Sequence, residues 1–256
     1  MDKLKYYIKQ IFEFIGDDTP YYAASLSFFT IFSLLPILAL LIWFVSSLEI
    51  LQENSDLLLK YILDLINPSH SQRIDSFITK FLQKSDSFGY VGFGYLIFVF
   101  TMFFRDYEYI INKIHNVKKR PFYKVLFIYS SLFLIVPILF VVFLYVISFS
   151  KSSLFSSLLT FGFLWFLMIV IFDISINRKV SFKALISSSF LTLIALIGTK
   201  NLFVQYVLLN KTYTTLYGSL SVILFFFLWI YISWNIYLYG MKICHSINTK
   251  EMSLLG

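Results

Sequence analysis

Hydrophobic residues fall into six long runs with almost no charge inside them. They extend from Tyr22 to Leu48, Gly89 to Ile111, Phe122 to Ser148, Leu154 to Phe172, Ala184 to Leu209 and Tyr217 to Met241. A helix needs roughly 20 residues to cross a hydrocarbon core about 30 Å thick, and each run is long enough. Backbone polar groups have no water to bond inside lipid, so the spans must be helices, and the fold class is an all-α membrane protein with six transmembrane helices.

Two segments outside the runs carry helical periodicity. Leu4, Tyr7, Ile8, Ile11 and Phe12 line one face, with Lys3, Lys5, Lys9 and Glu13 on others, so residues 1–20 read as a cytoplasmic interfacial helix. Gly16 to Pro20 ends it, with Asp18 or Thr19 placed to cap the first span. Between the first two spans, Leu51, Leu58, Leu59, Ile62, Leu65 and Ile66 form one stripe. Ile74, Phe77, Ile78, Phe81 and Leu82 form a second, and the turn at Asn67-Pro68-Ser69-His70 separates them. Residues 49–88 therefore read as an amphipathic helical hairpin outside the membrane, either capping the spans or offering a platform for something oily. With no repeat or linker, residues 1–256 form a single helical membrane domain.

Composition agrees with this layout: 59% of residues are hydrophobic and 14% charged, too few charges to coat a soluble globule of 256 residues. The net charge of +7 reports orientation rather than nucleic-acid binding. Lys113, Lys118, Lys119, Arg120 and Lys124 follow the second span and Arg178, Lys179 and Lys183 follow the fourth, while the facing side has few cations outside the long loop. Short basic loops stay in the cytoplasm, which puts both termini there. The first span begins too late and runs too long for a cleavable signal, and is expected to be retained as an anchor.

Two polar groups stand at the membrane boundary. Arg105, Glu108, Asn112 and His115 follow spacings of three, four and three, a helical stripe along which Arg105 and Glu108 can pair. Ionisable residues at such depth are costly unless paired or hydrated, which makes them candidates for a substrate path. The plainer reading is a helix end anchored by a salt bridge. Lys200, with Asn201, Gln205 and Tyr206, lies in the outer half of the fifth span and either snorkels to the headgroups or faces an internal cavity.

Small residues suggest close helix contacts: Ser25, Ser27, Thr30 and Ser33 ahead of Pro36, and Tyr217, Gly218 and Ser219 opening the last span. Asn235 suggests an interhelical hydrogen bond. His70, His115 and His245 are too dispersed for one metal site, Cys244 is the sole cysteine, and there is no phosphate-binding Gly loop or nucleophile elbow. No catalytic residues, metal or cofactor are expected, so the chain is not read as an enzyme.

The first span reads Ala23-Ala24-Ser25-Leu26-Ser27-Phe28-Phe29-Thr30-Ile31-Phe32-Ser33-Leu34-Leu35-Pro36, which resembles the opening signature of the YihY family, also called the virulence factor BrkB family. Arg105, Glu108 and Asn112, then Asn177-Arg178-Lys179-Val180, Lys200 with Tyr206, Tyr217-Gly218-Ser219-Leu220 and Trp229-Ile230-Tyr231 follow in the family's order. Gly240-Met241-Lys242 departs from the family's Gly-Ala-Glu. The resemblance implies a multi-pass protein of the bacterial inner (cytoplasmic) membrane, handling or translocating a lipid or other amphiphile for the envelope. The family's older ribonuclease label finds no carboxylate cluster here to hold a metal. Expected partners are membrane lipids and a periplasmic or envelope protein, with no nucleic acid. The alternative is a non-catalytic scaffold recruiting a periplasmic partner; ion or small-solute transport is a weaker third reading.

Overall fold

The computed structural model describes residues 18–46, 60, 72, 76, 80, 90–149, 152–209 and 220–255. Six helices occur among them: α1 Thr19–Ser46, α2 Tyr90–Ile114, α3 Phe122–Ser148, α4 Ser153–Ser175, α5 Phe182–Leu209 and α6 Leu220–Leu255. No strand occurs among the described residues. Among the described residues, four helices contain stretches long and apolar enough to cross a membrane: Phe122–Ser148, Ser153–Ser175, Phe182–Val207 and Leu224–Glu251. The proposed N-terminal interfacial helix, all but its last three residues, lies outside the described residues, as do Tyr217, Gly218, Ser219 and most of the 49–88 hairpin. Of that hairpin, Lys60, Gln72, Ser76 and Lys80 are described, and each is helical and exposed.

Helix boundaries follow local chemistry. Asn116 takes a left-handed conformation with φ 54° just past α2. Its N–H donates to the Lys113 carbonyl and the Val117 N–H to the Asn112 carbonyl, closing α2 with the paired bonds of a Schellman motif. The chain re-enters a helix after Pro121, whose missing N–H costs nothing there and whose carbonyl accepts from Lys124 and Val125. Ser181 caps α5 by accepting the Ala184 N–H, while its own N–H donates to Asn248 Oδ1 near the end of α6. Thr19 does not cap α1: its Oγ1 is buried without a partner.

The core lies at one end of the bundle. Ala23 and Leu26 of α1, Tyr107 and Ile111 of α2, Val125 and Tyr129 of α3, Phe172 of α4, Ala184 and Leu185 of α5, and Leu238, Met241 and Cys244 of α6 pack into one cluster. The start of α1, the α2–α3 and α4–α5 connections and the last turns of α6 therefore meet there. A smaller cluster of Phe203, Phe225 and Trp229 joins α5 to α6.

Small side chains let α5 and α6 approach closely. A Cβ on Gly240 would collide with Thr192 Oγ1. Trp234 Nε1 donates to Thr30 Oγ1 at 2.8 Å, tying α6 to α1. Thr30, Ser27 and Ser33 also return their hydroxyl hydrogens to carbonyls of their own helix, those of Leu26, Ala23 and Thr30. Asn235 does likewise, donating to the Tyr231 carbonyl; its expected interhelical bond is replaced by one within α6. Helix α4 is peripheral: none of its apolar window is buried. It leans on α3 through Phe163 stacked on Phe143 at 4.2 Å, and on α5 through Trp165 against Phe190.

Candidate functional site

At the packed end of the bundle, α2 turns Tyr107, Glu108, Asn112 and His115 inward, a set that one helical face presents because steps of three and four residues return to the same side. Glu108 is only 2% exposed, a depth at which a carboxylate needs partners. Arg120 Nη1 approaches Glu108 Oε2 at 3.1 Å, and Tyr129 donates its hydroxyl to the same oxygen at 2.8 Å. The other guanidinium nitrogen, Nη2, donates to the Ile176 carbonyl at 2.9 Å, where α4 has ended and its carbonyls lack helical partners. One arginine thus joins α2, the start of α3 and the end of α4.

Asn112 makes a second join. Its amide nitrogen donates to the Glu108 and Ser175 carbonyls, while its Oδ1 accepts the Asn177 N–H at 2.8 Å. Asn177 in turn donates its side-chain amide to the Lys118 carbonyl. Beneath lies a hydroxyl chain with a fixed direction. Ser175 gives its one hydrogen to the Ile171 carbonyl at 2.6 Å, so Tyr107 must donate to Ser175, and Tyr237 of α6 to Tyr107. The network is satisfied throughout, the condition under which buried polar groups rigidify a packing arrangement.

His115 borders it. Its Nδ1 faces the Ile111 carbonyl at 3.0 Å, so that nitrogen carries the hydrogen and Nε2 is left a buried acceptor with no partner. The His245 ring stands edge-on at 5.4 Å. Burial, with smaller contributions from His245 and Arg178, lowers the His115 pKa to about 4 against the pull of the Ile111 carbonyl, so the ring is neutral at pH 7. The sequence separated the three histidines; the fold brings two together, while His70 lies outside the described residues. No group of three or more metal-ligating side chains occurs among the described residues.

Of the expected path residues, Glu108 and Asn112 meet in the network. Arg105 does not join them: the Glu108 carboxylate turns to Arg120, and Arg105 is exposed on the outer face of α2. A three-residue step turns a helix by 300°, leaving Arg105 about 60° from Glu108 at the edge of the buried stripe. Lys200 is half-buried, and Asn201, Gln205 and Tyr206 are exposed, far along α5 from Glu108. Ser27 and Ser33 are buried, Ser25 and Thr30 half-buried, and Pro36 lies within α1.

Sequence spacing missed Arg120, Tyr129, Tyr107, Ser175 and Tyr237. Arg120 and Tyr129 lie 12 and 21 residues from Glu108, and Tyr107 reaches partners 68 and 130 residues away, so no local pattern announces them. The Arg120-Pro121 pair was the one local sign, since proline holds the preceding residue extended beside a helix start.

The family model for virulence factor BrkB matches residues 11–253. The chain belongs to that family. Among its relatives, a UPF0761 membrane protein of Haemophilus influenzae is 26% identical over 238 residues, covering 88% of each chain. One of Pseudoalteromonas translucida is 24% identical, covering 98% of this chain and 93% of its own. One of Kangiella koreensis is 25% identical over 97% of this chain, which spans 65% of that longer protein. No solved structure matches. This BrkB-family chain is thus a helical membrane protein, and its Glu108–Arg120 network lies inside the matched region.

Proposed function

We propose that this BrkB-family protein is a non-catalytic, transporter-like protein of the bacterial inner membrane, with six spans and both termini cytoplasmic. It handles or translocates a lipid or other amphiphile for the envelope. The observation that carries the reading is the buried Glu108–Arg120 pair. A buried ion pair adds little net stability over apolar residues of similar size, yet breaking it is costly. Such a pair suits a latch with two states better than a permanent brace.

The latch holds Tyr129 and Arg120 at the start of α3 and Ile176 at the end of α4, the two helices coupled to each other by the Phe143–Phe163 stack. Its release loosens α3 and peripheral α4 at the packed end, so that α4, still leaning on α5 through Trp165, can shift and open the interior sideways to lipid. Lys200, in the opposite half, supplies a cation for an anionic headgroup as it crosses.

The test is leaflet exchange of fluorescent phospholipids in proteoliposomes. Folded Glu108→Gln and Arg120→Gln proteins are expected to change protein-dependent exchange several-fold, and Lys200→Ala to slow it. Exchange at the protein-free level for the unmodified protein and every variant would sink the transport reading in favour of a scaffold. Exposed helical Lys60, Gln72, Ser76 and Lys80 between α1 and α2 support that second reading. On it, deleting residues 49–88 abolishes capture of an envelope partner while latch substitutions do not.

A further inference from the structure

The outer face of α1 and α2 combines cations and apolar surface in a definite order. On α2, Tyr95, Phe98, Met102 and Tyr109 are 41–60% exposed along one stripe, and Arg105 and Lys113 are exposed on the same side. Lys113 Nζ stands 5.1 Å from the Tyr22 ring centroid and 5.8 Å from that of Tyr109, held between aromatic rings at the helix end. Arg105 lies eight residues deeper, about 12 Å of helical rise.

Beyond Arg105 the surface is apolar and continuous between the two helices. Phe28 and Phe32 of α1 are 64% and 55% exposed and stack on each other, and Phe32 meets Tyr95 edge-on at 6.4 Å. Of the acidic neighbours, Asp18 accepts from the Tyr22 hydroxyl and Glu108 faces inward to Arg120, which leaves half-buried Asp106 as the carboxylate beside Arg105. An arginine at the edge of hydrocarbon is costly to hold unless its donors are met, and one flanking carboxylate leaves several of its five N–H donors for a phosphate.

We infer that this face binds a glycerophospholipid, its phosphate held between Arg105 and Lys113 and an acyl chain laid along Met102, Phe98, Phe28 and Phe32. Two long basic side chains converging from either end of the 12 Å interval reach a single phosphate. Because Arg105 lies deeper than Lys113, that phosphate sits inside the plane that Lys113 marks, drawn from its leaflet toward the protein. The inference shares with the lipid-handling reading only the premise that this face meets lipid, and it is measured by binding without transport, so the two fail separately.

The experiment is native mass spectrometry of the full-length protein with added phosphatidylglycerol or diacylglycerol, the second lacking the phosphate. Phosphatidylglycerol adducts are expected, reduced at least fivefold in Arg105→Gln/Lys113→Gln and restored in Arg105→Lys/Lys113→Arg. They are expected to be unchanged in Lys179→Gln and in excess inorganic phosphate. Should the double variant not fold, the two single Gln variants are read in the same way. Undiminished adducts after loss of both cations, an equal loss in Lys179→Gln, or equal binding of diacylglycerol would overturn the inference.

Discussion

Arg120 is the residue on which the buried network turns, because it is the only counter-charge that the described structure places against the Glu108 carboxylate. Truncating it leaves a carboxylate 2% exposed with no counter-charge, its remaining donors the Tyr129 hydroxyl and, at 3.4 Å, the backbone N–H of residue 120. Arg120→Ala should therefore cost roughly 3–5 kcal/mol, whereas Glu108→Met/Arg120→Met, which removes both charges, should cost clearly less. Thermal unfolding in detergent separates the two; equal losses would show that the charges are not coupled. His115 adds a pH dependence of known sign. Its pKa is about 4 in the fold and near 6.5 when unfolded, so the unfolded chain takes up the proton first as pH falls. Stability is full above about pH 6.5 and declines toward pH 4, by up to about 3 kcal/mol, and the decline should shrink in His115→Gln.

Among the elements, the α5–α6 contact is the most tightly specified, because Gly240 leaves no room for a side chain against Thr192. Gly240→Ala should destabilise by about 1–3 kcal/mol through overpacking, and Thr192→Ala in the same chain should recover much of it. An unchanged melting temperature in Gly240→Ala would mean that the helices part without penalty. The closure of α2 was partly legible in advance, since Asn tolerates the left-handed conformation that Asn116 adopts. The partners of that helix were not: Arg105 and Glu108 share a spacing that suits a pair, but the approach of α3 and α4 draws the Glu108 carboxylate inward to Arg120.

For the whole molecule, one end of the bundle gathers what the charge pattern assigns to the cytoplasm. Tyr22 meets Lys113, Asn177 meets Lys118, Ser181 meets Asn248 and His115 meets His245. Single cysteines placed at Lys118, Lys179 and Lys250 should all react with an impermeant maleimide from the cytoplasmic face, and one at Lys80 from the opposite face. The native Cys244 is buried and should stay silent. Labelling of positions 118 and 250 from opposite faces would refute the arrangement.

The sequence by itself determined the solvent and the secondary structure, because long uncharged apolar runs have lipid as their stable surroundings and helices as their only satisfied backbone form. It also singled out Glu108 and Asn112, whose polarity at a membrane boundary is conspicuous without any partner in view. The tertiary structure alone decided what those residues do. The partners of Glu108 and Tyr107 come from distant parts of the chain, and which of several nearby cations a buried carboxylate selects depends on how the helix ends meet. Arg120 was selected because Pro121 and the end of α4 hold it against Glu108. Arg105, closer in sequence, was left exposed on the outer face by a helical rotation of about 60°.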